Sequence, residues 1–75
     1  MYVEKIHIED IRGVGHNGTL SLDFPDYAKL KAASQLVYHV NLYYPREDGY
    51  RYSTKTEVDQ EKGQFHLEIQ LTKKQ

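Results

Sequence analysis

Seventy-five residues leave room for one small domain, 1–75, with a thin core and no space for a second. The absence of cysteine excludes disulfides and cysteine-based zinc sites, and the near balance of 10 Lys and Arg against 11 Asp and Glu excludes a dominant, sequence-independent attraction to nucleic acid. A mean hydropathy of -0.77, with no apolar run near the ~20 residues that a bilayer requires, excludes a membrane-spanning helix. The missing cysteines and the lack of a basic-plus-apolar leader predict a cytoplasmic protein.

In chain order, Val3, Ile6, Ile8 and Ile11 predict a first strand with one parity change. The run Gly13-Val14-Gly15-His16-Asn17-Gly18 then reads as a connecting loop. Leu20, Leu22 and Phe24 alternate with Thr19, Ser21 and Asp23, so a second strand should complete a hairpin. Pro25 ends that ladder because it has no N–H to donate, and Pro25 or Asp26 opens a short helix through Ser34 that packs Tyr27 and Leu30 on the sheet.

The second half reads as a meander. Leu36, Tyr38, Val40, Leu42 and Tyr44 share one face of a third strand, and Asp48-Gly49 supplies a turn. A fourth strand runs from Tyr50 to Val58, Glu61-Lys62-Gly63 turns the chain, and Gln64 to Thr72 form a fifth. Its residues Phe65, Leu67, Ile69 and Leu71 should make the core with the face of strand three. The order is β-β-α-β-β-β, an α+β domain with a mainly antiparallel sheet and one short helix on one face. The other face would show Lys5, His7, Asn41, Tyr43, Arg51, Lys55, His66, Glu68 and Gln70 to solvent.

The segments Ile8-Glu9-Asp10-Ile11-Arg12-Gly13 and Leu20-Ser21-Leu22-Asp23-Phe24 resemble the opening hairpin of SMC-type and RecF-type ATPase heads over the first third of the chain. That resemblance implies a similar hairpin. It implies no ATPase, because Pro25, Asp26 and Tyr27 stand where those heads continue toward a G-x-x-x-x-G-K-[ST] loop, and no such loop follows. Gly13, Gly15 and Gly18 match G-x-G-x-x-G, but a dinucleotide site needs a helix N-terminus after the loop, and a kinase needs a second lobe. The loop therefore reads as a turn that uses positive φ at its glycines, with Asn17-Gly18 at its tip. A backbone nest helped by Arg12 or His16 is the route by which it could hold an anion.

Chemistry-bearing groups are sparse. His7, His39 and His66 would converge on a metal only if strands one, three and five were neighbours, and neither a nucleophile turn nor paired carboxylates in a cleft can be argued. No catalytic residue, metal or cofactor is expected. The outstanding signal is tyrosine, seven in all, with Tyr43, Tyr44, Tyr50 and Tyr52 around one turn beside Arg51 and Lys55. Rings of this kind serve protein interfaces at low entropic cost. These features predict a small, non-enzymatic interaction module that regulates or inhibits a larger protein through a strand edge or this tyrosine-rich hairpin. The same edge would serve a homodimer. The alternative is a single-strand nucleic-acid binder that stacks bases on Tyr43, Tyr50 and Tyr52 beside Arg51 and Lys55.

Overall fold

A computed structural model describes residues 6–74. They form α1 (Ile8–Arg12), β1 (Thr19–Phe24), α2 (Tyr27–Tyr43), β2 (Tyr50–Asp59) and β3 (Gln64–Lys73). The α+β class holds, with three antiparallel strands in one open sheet of order β1-β3-β2. Where the sequence suggested β-β-α-β-β-β, the described residues run α-β-α-β-β.

Two expected strands are helical. The first falls partly on residues 1–5, which lie outside the described residues; Ile6 keeps an isolated β-bridge, and Ile8 to Arg12 turn into α1. Ile8 and Ile11 sit three apart, Asp10 Oδ2 accepts the His7 backbone N–H at 2.8 Å, and the Gly13 N–H closes the turn on the Glu9 carbonyl at 2.9 Å. The expected hairpin with β1, and with it the likeness to an ATPase opening hairpin, is therefore not formed by these residues.

The expected third strand is the second half of α2. Asp26 caps this helix, its Oδ1 accepting the Lys29 N–H at 2.8 Å, and seventeen residues follow without a break. Leu30, Ala33, Leu36, Val37 and Val40 are buried, a spacing of three and four that a helix places on one side. Residues 36–44 also alternate, so both periods fit the same letters. What decides is that Ser34-Gln35 contains no breaker, and the first one after Asp26 is Pro45, next to the Tyr44 cap.

The remaining strands fall where the alternation put them. Gly49 (φ 83°) and Gly63 (φ 64°) adopt the left-handed backbone that the two turns require. In register, Leu20 faces Ile69 and Leu22 faces Leu67 across β1 and β3, while Tyr52 faces Leu71 and Thr54 faces Ile69 across β2 and β3. One side of the sheet thus carries Leu22, Phe24, Leu67, Ile69 and Tyr52, joined in a single core with Ile6, Ile11, Val14 and the buried stripe of α2. The other side is polar. There Asp23, His66 and Glu57 form one row, and Ser21, Glu68 and Lys55 the next.

The course of α2 determines what is covered. It begins three residues past Phe24, at the end of β1, and reaches β2 near its own C-terminus, where Asn41 meets Tyr52. A diagonal course of this kind leaves one corner bare: Thr54, Thr56 and Val58 share the core-facing side of β2 with Tyr52, yet all three are exposed.

Candidate functional site

The residues singled out in the glycine loop and around the tyrosine turn belong to distant parts of the sequence, and the fold joins several of them at one corner. Three elements meet there: the end of α1, the end of α2 and the start of β2. Pro45 stops α2, and Arg46 to Gly49 reverse the chain into β2. Asp48 organises the reversal, with Oδ1 accepting the Tyr50 backbone N–H at 3.1 Å, while Arg46 reaches it through Nε at 3.1 Å and Nη2 at 2.6 Å. This charge-assisted pairing is the stronger kind of hydrogen bond.

The loop after α1 closes over this turn. His16 Nε2 lies 3.2 Å from Asp48 Oδ2, and the His16 ring stands edge-on to Tyr50, with centroids 4.5 Å apart at 89°. Tyr52 is the inner wall: only 3% exposed, it receives Arg46 Nη1 on its hydroxyl at 3.2 Å and donates to the Arg12 carbonyl at 3.4 Å. The Arg12 guanidinium rests over the Tyr44 ring at 5.0 Å, and that of Arg46 over Tyr52 at 5.7 Å. Arg12, Tyr44, Pro45, Arg46, Glu47, Asp48 and Tyr52 thereby line a shallow depression.

Electrostatically the two arginines differ. The hydrogen bonds from Arg46, with the Tyr50 N–H and the His16 ring adding smaller contributions, hold the Asp48 carboxyl down at about 2. Arg46 is in turn raised, first by Asp48 and then by Tyr52, so its charge is consumed within the corner. Arg12 has an aromatic face beneath it and no carboxylate partner among the described residues.

Other predicted residues lie elsewhere. Tyr43 is exposed on the far side of α2, its ring tilted 41° against His39 at 4.6 Å. Arg51 and Lys55 project from the opposite, polar side of the sheet, so the expected tyrosine hairpin is a helix-to-strand corner and the expected base-stacking groove is not assembled. Gly13, Gly15 and Gly18 do not use positive φ, which among the described residues occurs only at Gly49 and Gly63; Asn17 is exposed at the loop tip. The three histidines also separate, His7 to the start of α1, His39 to α2 and His66 to the polar face of the sheet. Among the described residues no group of three or more His, Cys, Asp or Glu could hold a metal ion.

On that polar face His66 bridges two carboxylates, Nδ1 to Asp23 Oδ1 at 2.8 Å and Nε2 to Glu68 Oε1 at 3.4 Å. Asp23 first and Glu68 second raise its pKa. Asn41, placed in the sequence among residues facing solvent, instead uses its amide to satisfy both backbone groups of Tyr52: Nδ2 donates to the carbonyl at 2.7 Å, and Oδ1 accepts the N–H at 2.9 Å. Nothing local marks Asn41 for this task, because the partner is an edge strand that only the tertiary fold brings near.

Among the described residues no helix is long and apolar enough to cross a membrane. Compared with protein-family models, curated proteins and solved structures, the chain matches none.

Proposed function

We propose that this chain is a non-enzymatic interaction module, regulating or inhibiting a larger protein that it grips at the α1–α2–β2 corner. The observation that carries the reading is the Arg12 guanidinium, spread over the ring of a 43%-exposed Tyr44 and without a carboxylate partner among the described residues, in a depression whose other arginine is already neutralised. Tyrosine and arginine dominate binding hot spots because a flat ring or fork can be desolvated at small entropic cost. A stacked guanidinium presents its N–H edge outward, which suits an acidic side chain or a terminal carboxylate on the partner. Pre-organisation helps further: Tyr52, Arg46 and Asp48 already hold one another, so little freedom is lost on docking.

Nucleic acid is the weaker partner for this corner, since Glu47 and Asp48 line the same depression while Arg51 and Lys55 lie across the sheet. The test is capture from lysate of the source organism by immobilised wild type, Arg12→Ala and Tyr44→Ala, with and without nuclease. The expected result is a protein held near one-to-one stoichiometry by wild type, indifferent to nuclease and depleted with both variants. Retention that disappears with nuclease, or that is equal for all three proteins, would overturn the reading.

A further inference from the structure

A second surface, separate from the corner, lies along the outer edge of β2. The sheet order makes β2 an edge strand, and among the described residues no other strand pairs with its outer side. Because the N–H and C=O of Tyr52 both reach Asn41, off the sheet, the backbone groups of Thr54, Thr56 and Val58, two, four and six residues on, also point away from β3. Asn41 caps the edge at Tyr52, and beyond it these three donors and three acceptors face outward. The side chains there are exposed as well, with Val58 at 44%. Of the devices with which natural edge strands discourage pairing, residues 54–58 carry a lysine, Lys55, on the polar face, but no proline, bulge or inward-pointing charge.

The edge is self-complementary in one register. With Thr56 placed opposite Thr56 of a second, antiparallel copy, Thr54 meets Val58 and Val58 meets Thr54, so each outward-facing residue finds another and each such pair exchanges two main-chain hydrogen bonds. On the polar face the same register sets Lys55 opposite Glu57, twice by symmetry. Moving the centre one residue either way sets Lys55 against Lys55 or Glu57 against Glu57, directly opposed like charges. A centre at Thr54 draws in Tyr52, whose backbone Asn41 already occupies, and one at Val58 opposes Glu57 to Asp59. We propose that two copies of this chain pair antiparallel along β2, with Thr56 on the two-fold axis and Lys55–Glu57 ion pairs fixing the register. The sheets become one continuous six-stranded sheet with both α2 helices on the same side, and Thr54, Thr56 and Val58 of both copies lie between those helices.

Sedimentation equilibrium tests this with wild type, Lys55→Glu, Glu57→Lys and an equimolar mixture of the two variants, each checked for folding by circular dichroism. The wild type should dimerise, each charge reversal should weaken self-association roughly tenfold or more, and the mixture should recover a one-to-one heterodimer because every facing pair is again opposite in sign. Thr56→Pro removes an outward N–H while sparing the bonds to β3, and should leave monomer. A wild type that stays monomeric at its highest soluble concentration would overturn the proposal, as would single variants that dimerise as tightly as the wild type.

Discussion

The two ends of β2 lie in one strand, share one register with β3, and place alternate side chains on the same side of the sheet, yet they have opposite fates. Tyr52 is buried, its hydroxyl and both backbone groups engaged, whereas Thr54, Thr56 and Val58 are exposed and their main-chain groups have no partner among the described residues. The cause lies outside the strand: α2 crosses from β1 toward β2 and arrives only at Asn41. Alternation therefore decides which side of a sheet a residue faces, but the crossing element decides whether that side is core or surface. The covered end supports the corner that holds Arg12 and Tyr44, and the bare end offers an edge for pairing.

The sharpest way to break this contrast is to truncate side chains on both sides of it. Ile69→Ala, in the central strand where exposure is nil, should cost about 2–5 kcal/mol in denaturant unfolding, through lost transfer energy and the cavity left behind. Val58→Ala on the same face, measured under dilute conditions, should stay within about 0.5 kcal/mol. Equal losses would mean that the bare corner is covered after all.

Asn41→Ala comes next in size. It strips partners from a backbone N–H and C=O beside the buried Tyr52 ring, and should cost about 1–3 kcal/mol. Hydrogen exchange at the Tyr52 amide should accelerate toward that of Thr54, extending the free edge by two residues. Asp26→Ala removes the cap that starts α2 beside β1 and should cost about 1 kcal/mol, read as a lower thermal midpoint with the helical signal retained.

The smallest effect concerns the polar face, where His66 bridges Asp23 and Glu68. A histidine whose folded pKa is raised above its unfolded value stabilises the fold fully below the unfolded value, near 6.5, and that stabilisation is lost as pH climbs through the raised one. Unfolding midpoints should therefore decline above about pH 6.5, and His66→Gln should remove that decline. Asp48 works in the opposite sense: its carboxyl, held at about 2 against an ordinary 3.8, stabilises above the ordinary value and loses that contribution as pH falls through 2.

Much of the sheet was legible in the sequence because β1, β2 and β3 carry clean alternation between marked turns, and Gly49 and Gly63 stand where left-handed backbone is needed. Asp26 and Pro25 likewise signalled the start of α2. Residues 36–44 were not legible by period, since Leu36 and Val40 satisfy both a strand face and a helical stripe; the deciding cue was the lack of any breaker before Pro45. Ile8 and Ile11 posed the same ambiguity on a shorter segment. Of the candidate site, the chemistry was visible in Arg12, His16, Tyr44, Tyr50 and Tyr52, but their meeting was not, because it depends on α2 being one helix that ends above the start of β2. Arg51, Lys55 and Tyr43 are close to these residues in sequence, but strand parity and the helix end separate them in space.

Residue-resolved amide exchange along β2, followed from dilute to concentrated protein, tests the central claim most directly. Tyr52 should be protected at every concentration by Asn41, and Ser53, Lys55 and Glu57 by β3, while Thr54, Thr56 and Val58 exchange freely when dilute and slow together as concentration rises. Protection of those three amides at the lowest concentration, or free exchange at the highest, would contradict an edge that is open in one chain and closed by a second.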